Sequence, residues 1–173
     1  MREQGLVIII MGSESDRSHV EQIAAELKSY EIQTEIRVAS AHKTAGRLLE
    51  ILAEYDSIPG PKVFITVAGR SNALSGMVDA NVSEPVIACP SFSEAFAGAD
   101  LFSSLRMPSG VAPLVVLDPK NAALGAAKML GLVSAKVAEA VKTGQQAHRQ
   151  VLIDADERSR EAGIGDQREA IGN

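Results

Sequence analysis

The chain has 173 residues, 46% of them hydrophobic, which is enough for one domain with a sizeable core and short for two. Its 17 Lys and Arg stand against 22 Asp and Glu, a net charge of −5, and aromatic residues make up only 3%; neither a general attraction for nucleic acid nor a set of base-stacking platforms is expected. No apolar run approaches the roughly 18–20 residues of a membrane span, and the single cysteine, Cys89, excludes an intramolecular disulfide and fits a reducing, cytoplasmic compartment.

Leu6 to Ile10 is a continuous apolar, largely β-branched run, which suits a central parallel strand covered on both faces. With no basic leader and no small-residue cleavage pattern after it, the run does not read as a signal peptide. A short turn, Gly12 to Ser15, leads into a helix with Val20, Ile23, Ala24 and Leu27 on one face. A second strand is expected from Gln33 to Ala39, with Ile36 and Val38 on one side, and then a helix marked by Leu48, Leu49, Ile51 and Leu52. Pro59-Gly60-Pro61 ends that helix.

The third strand, Val63 to Ala68, is again apolar throughout, and a helical stretch with Leu74, Met77 and Val78 follows. Pro85 to Pro90 reads as a short fourth strand and Leu114 to Leu117 as a fifth. Strand and helix in alternation predict an α/β fold, a three-layer, doubly wound parallel sheet of flavodoxin-like or Rossmann-like type. Ala122, Ala123, Ala126 and Ala127 make a small-residue surface, and Val133, Val137, Ala140 and Val141 mark a further helix. These C-terminal helices either cover the sheet or pack on neighbouring subunits. One domain is expected over 1–156, with 157–173 a polar, loosely ordered tail.

In an open parallel sheet, ligands bind beyond the carboxyl ends of the strands. Three polar clusters fall there: Gly12 to Asp16, Ser40 to Thr44, and Gly69 to Asn72. The first sets small residues at a helix N-terminus, where free N–H groups favour an anion such as phosphate, although Ser13-x-x-Asp16 is equally a helix-capping pattern. Asp16 suits ribose hydroxyls better than phosphate. His42 can take or give a proton near neutrality, its unperturbed pKa being about 6.5; a lone histidine is more often structural, and His19 and His148 are given no role. Lys43 offers a point charge to an anion, and Arg70 a planar fork for a carboxylate. Ser103 to Gly110 could fold over the site as a lid, its plain alternative being a surface loop. No Walker loop, dinucleotide fingerprint or metal-ligand cluster occurs.

Met11-Gly12-Ser13-Glu14-Ser15-Asp16, Ser40-Ala41-His42-Lys43-Thr44 and Ala68-Gly69-Arg70-Ser71-Asn72, taken in order, resemble the aminoimidazole ribonucleotide carboxylase family, the PurE family. The likeness runs from about Leu6 to Leu132 and continues through Ser103 to Gly110 and Asn121-Ala122-Ala123. Class I members of that family rearrange an N5-carboxylated ribonucleotide, and class II members use CO2 directly. Class I enzymes typically carry arginine after the motif histidine and a second histidine in a glycine-rich loop after the third strand. Lys43 stands in the arginine's place here, and Gly69 to Gly76 holds no histidine, as in class II.

The resemblance implies His42 as the acid/base and Ser13, Asp16, Ser40, Lys43, Gly69 and Ser71 as substrate-binding residues. Arg70, or N–H groups near Gly69, is expected from position and charge to hold the new carboxylate. The resemblance also implies a homo-oligomer (octamer or tetramer) with active sites between subunits, and no metal or organic cofactor. Two other readings stay open: the N5-isomer mutase, and a non-catalytic nucleotide- or phosphate-binding module.

Overall fold

The computed structural model describes residues 5–92 and 96–171, and for 163–171 the helical backbone alone. The unbroken apolar runs form the centre of a five-stranded parallel sheet: β1 (Leu6–Met11), β2 (Gln33–Val38), β3 (Lys62–Val67), β4 (Val86–Ala88) and β5 (Leu114–Val115), in the order β2-β1-β3-β4-β5. Every residue of β1 and β3 is buried, which is why neither run alternates with polar residues. The two-residue period of a strand sends Val7, Ile9 and Met11 to one face and Leu6, Ile8 and Ile10 to the other.

The first face is covered by α1 (Arg17–Ser29), α5 (Pro119–Gly131) and the start of α6 (Ala135–Ile171). The second is covered by α2 (Ala45–Asp56) and α3 (Ala73–Asp79), with Leu48, Ile51, Leu52, Tyr55, Leu74 and Val78 inward. The predicted three-layer, doubly wound α/β architecture is therefore the observed one, in its flavodoxin-like strand order.

Some local expectations are corrected. Ile36 packs on the α1 side, but Val38 is 46% exposed, because β2 is the edge strand and its last residue sits at the open rim. The fourth and fifth strands are shorter than predicted; Pro85 and Pro90 cannot donate to a ladder and stand outside β4. The alanines of α5 are all fully buried in this subunit's own core, against the β3 side of the sheet. Small side chains let α5 lie close to the strands, so neighbour packing is not their use. Asp118 starts that helix by accepting from Asn121 N–H at 2.8 Å, with Pro119 in the first turn. After Val137 and Val141, which reach the core, α6 continues as helix through Ile171 where a loose tail is predicted. The glycines at 163 and 165 suggest a break, but strong helix formers such as Arg158, Glu161 and Ala162 surround them. Residues 172 and 173 of the expected tail, and 1–4 of the expected domain, lie outside the described residues.

A buried ion pair anchors the entry to β3. Lys62 Nζ lies 2.9 Å from Glu84 Oε1 and donates to the Ile58 carbonyl at 2.7 Å. Burial pushes the Glu84 carboxyl up, but the Lys62 hydrogen bond and charge, together with backbone N–H donors at Ser83 and Glu84, outweigh it and hold the group below its ordinary value. A depressed carboxyl stabilises the fold above the unfolded pKa and loses that contribution as pH falls through the folded one. Glu84→Gln should cost about 1–3 kcal/mol at pH 7, less than a wholly buried broken pair, since Lys62 keeps its carbonyl acceptor. Urea melts of both proteins should show the gap narrowing below about pH 4.

Candidate active site

In this strand order the chain leaves β1 for β2 on one side and β3 on the other, so a crevice opens between β1 and β3 at their carboxyl ends. The parallel register aligns Met11 with Val38 and Val67, which brings the three polar clusters to one rim. Gly12 N–H donates to the Val67 carbonyl at 2.9 Å, and Ala39 N–H to the Met11 carbonyl at 3.0 Å, fixing the bases of the loops to each other.

Ser13 and Asp16 part company. Ser13 behaves as a cap, its hydroxyl accepting from Ser15 N–H at 3.3 Å and Ser15 Oγ at 2.9 Å. Asp16 stands at the N-cap of α1 but makes no side-chain cap bond. Its Oδ1 accepts instead from Ser91 Oγ at 2.8 Å, across the crevice to the loop after β4. A carboxylate beside a helix N-terminus yet unused by it is available to a ligand's hydroxyls.

The loop after β2 is closed on itself. Ser40 N–H donates to Thr44 Oγ1 at 2.9 Å, Lys43 N–H to Ser40 Oγ at 3.2 Å, and Thr44 N–H to the Ser40 carbonyl at 2.9 Å. This holds the backbone on either side of His42. The His42 and Lys43 side chains are exposed and make no hydrogen bond or ion pair among the described residues. Both stand on this hydrogen-bonded turn at the rim of the crevice.

After β3, Arg70 takes a left-handed backbone, φ 59°, and its N–H donates to Asp100 Oδ2 at 2.9 Å. That N–H is therefore engaged within the protein, while the Arg70 side chain is exposed. Ser71 is exposed. Asn72 is buried, caps α3 by accepting from Ser75 N–H at 3.2 Å, and donates to Ser104 Oγ at 2.9 Å. Ser103 Oγ accepts from Asn72 N–H at 2.9 Å and lies 3.2 Å from the Arg70 carbonyl. The segment expected as a lid begins with α4 (Phe102–Leu105) and is sewn to the β3 loop by these serines. A cavity of about 410 Å³ lies between it and α3, lined by Ser71, Met77, Arg106, Met107 and Val111 among others.

Sequence reasoning missed Ser91 and Asp100, while Ser103 and Ser104 belong to the segment read as a lid, without their bonds to the β3 loop being foreseen. His19, given no role from the sequence, is half-buried on α1, and its Nε2 lies 3.2 Å from Cys89 Sγ. Burial pushes the His19 imidazole down, opposed by the Asp16 and Asp118 carboxylates. Burial, helped by Asp118, pushes the Cys89 thiol up to about 12. Cys89 is thus an inert, protonated thiol. It should resist a disulfide reagent in the native protein and react stoichiometrically after denaturation; rapid native labelling would place it on an open wall. Among the described residues no group of three or more His, Cys, Asp or Glu is placed to hold a metal ion.

The AIR carboxylase family model matches residues 6–151. The chain is 53% identical over 151 residues to a phosphoribosylaminoimidazole carboxylase of Treponema denticola, spanning 87% of this chain and 95% of that protein. Against the carboxylase of the same name from Archaeoglobus fulgidus, identity is 51% over 160 residues, 92% of this chain and 88% of the other. A bifunctional phosphoribosylaminoimidazole carboxylase/phosphoribosylaminoimidazole succinocarboxamide synthetase of Drosophila melanogaster is 44% identical over 131 residues, and the match spans only 30% of its length. The crystal structure of Treponema denticola PurE superposes with a TM-score of 0.88 at 52% identity, covering 89% of this chain and 98% of that one.

Proposed function

The chain belongs to the AIR carboxylase family, and from that premise we propose that it joins CO2 to C4 of 5-aminoimidazole ribonucleotide, reversibly and without ATP, as a carboxylase of purine biosynthesis. The observation that carries the reading to this chain's own residues is the meeting of three strand-end loops at one rim, with the Asp16 carboxylate unused by its helix.

The 5-amino group makes C4 enamine-like, so C4 attacks the carbon of CO2. The adduct carries both the old proton and the new carboxylate on a tetrahedral C4. Loss of that proton restores the aromatic ring, and His42 is the group that takes it; in reverse, His42 protonates C4 before CO2 departs. Asp16 accepts from the ribose hydroxyls. Ser13, Ser40 and Lys43 bind the ribonucleotide, with the Lys43 ammonium a point charge for phosphate. Gly69 and Ser71 line the ring's side of the crevice, and the Arg70 guanidinium faces the carboxylate formed. CO2 has no charge to grip, so exclusion of water and close placement must do the holding.

Lys43 and the histidine-free Gly69 to Gly76 loop favour CO2 as the carbon source over the N5-carboxylated isomer. A pure binding module would have no use for His42. The deciding experiment supplies purified protein with the ribonucleotide and bicarbonate, ATP omitted. Formation of the C4-carboxylated product supports the proposal; product from the N5-carboxylated isomer alone makes the protein a mutase.

The working form is a homo-oligomer with sites between subunits. Val151, Leu152 and Ile153 on α6 are 63%, 72% and 50% exposed, a run of large apolar side chains that a neighbouring copy would cover. The site is cytoplasmic in this reading, and among the described residues no helix is long and apolar enough to cross a membrane.

A further inference from the structure

Ser91 occupies the point where three loops of the crevice touch. Its hydroxyl donates to Asp16 Oδ1 at 2.8 Å, tying the loop after β1 to the loop after β4. It also abuts the loop after β3, since a Cβ built on Gly69 would come within 3.0 Å of both Ser91 O and Ser91 Oγ. Among the described residues Asp16 has no other hydrogen bond to fix its carboxylate, because the helix it precedes does not use it. An aspartate side chain free to rotate would have to be ordered when the ligand binds, at a cost in affinity. With Oδ1 held, Oδ2 stays open for a hydroxyl donor.

We propose that Ser91 is a positioning residue for substrate binding, orienting the Asp16 carboxylate toward the two ribose hydroxyls. The inference rests on the reading of Asp16 as the ribose acceptor. Ser91 touches no reacting atom, so its loss acts on capture of the ribonucleotide and not on the proton transfer.

A double-mutant cycle tests this, with KM and kcat measured for the ribonucleotide in the CO2-dependent reaction and ribonucleotide affinity measured by calorimetry. Ser91→Ala should raise KM and the dissociation constant about 10-fold, the size of one hydrogen bond to a charged group, with kcat nearly unchanged. Ser91→Thr, which keeps the hydroxyl, should restore most of the affinity. In an Asp16→Ala background the Ser91→Ala change should add nothing further. Unchanged affinity in Ser91→Ala, with Asp16→Ala impaired, overturns the role of Ser91 and leaves Asp16 standing. An unimpaired Asp16→Ala overturns the ribose assignment itself, and the Ser91 proposal falls with it. An equal loss from Ser91→Ala in both backgrounds overturns the proposal in favour of a purely structural role.

Discussion

His42→Asn is expected to lower turnover by about 10²–10⁴-fold while ribonucleotide affinity stays nearly unchanged. The split follows from what His42 does and does not touch. Its side chain is exposed and has no hydrogen bond or ion pair among the described residues, so removing it leaves no buried partner unsatisfied. The turn that carries it is held by Ser40 and Thr44, neither of which the substitution alters. Asparagine keeps a polar, hydrogen-bonding side chain but cannot carry a proton between C4 and solvent near neutrality. Calorimetry with the ribonucleotide and initial rates in both directions measure the two halves separately. Near-normal turnover would refute the proton-transfer role.

Gly69→Ala is the second large effect, and it acts through space. The new methyl would sit 3.0 Å from the Ser91 carbonyl oxygen and 3.0 Å from its hydroxyl. The hydroxyl can rotate away, but only by leaving Asp16, and the carbonyl belongs to the backbone. Either the loop after β3 or the loop after β4 must therefore move, and both border the crevice of the proposed site. Displacements of this kind cost on the order of 10²-fold where reacting groups must be aligned. The expected result is a fall of about that size in kcat/KM, with kcat and KM both affected and only a small drop in thermal stability. Gly46→Ala is the control: nothing lies within 4 Å of its added Cβ, and it should retain full activity.

The parts of this molecule legible in its sequence are those set by local pattern. Leu6 to Ile10 and Val63 to Val67 could be read as central strands because burial on both faces leaves a continuous apolar run. Val20, Ile23 and Leu27 marked the inner face of α1 by spacing alone. Residues whose role depends on a distant partner were silent. Ser91 meets Asp16 across 75 positions, and Asp100 meets the Arg70 N–H across 30, with nothing local to announce either. Asp16 itself illustrates the limit: the four-residue pattern reads as a helix cap, yet only Ser13 caps, and the Asp16 carboxylate turns to Ser91 instead. The length of α6 was hidden for the opposite reason, since glycines within good helix formers lower a helix's stability without forbidding it.

The origin of the carboxylate tests the central claim most directly. Wild-type protein would be given the ribonucleotide, excess ¹³C-bicarbonate and unlabelled N5-carboxylated isomer together, with ATP omitted, and the product's C4 carboxylate examined by NMR after a brief reaction. CO2 addition served by His42 predicts ¹³C in that carboxylate, and none in the His42→Asn variant. Unlabelled product formed at the same rate would mean that the carboxylate migrates from the isomer, and would contradict the account.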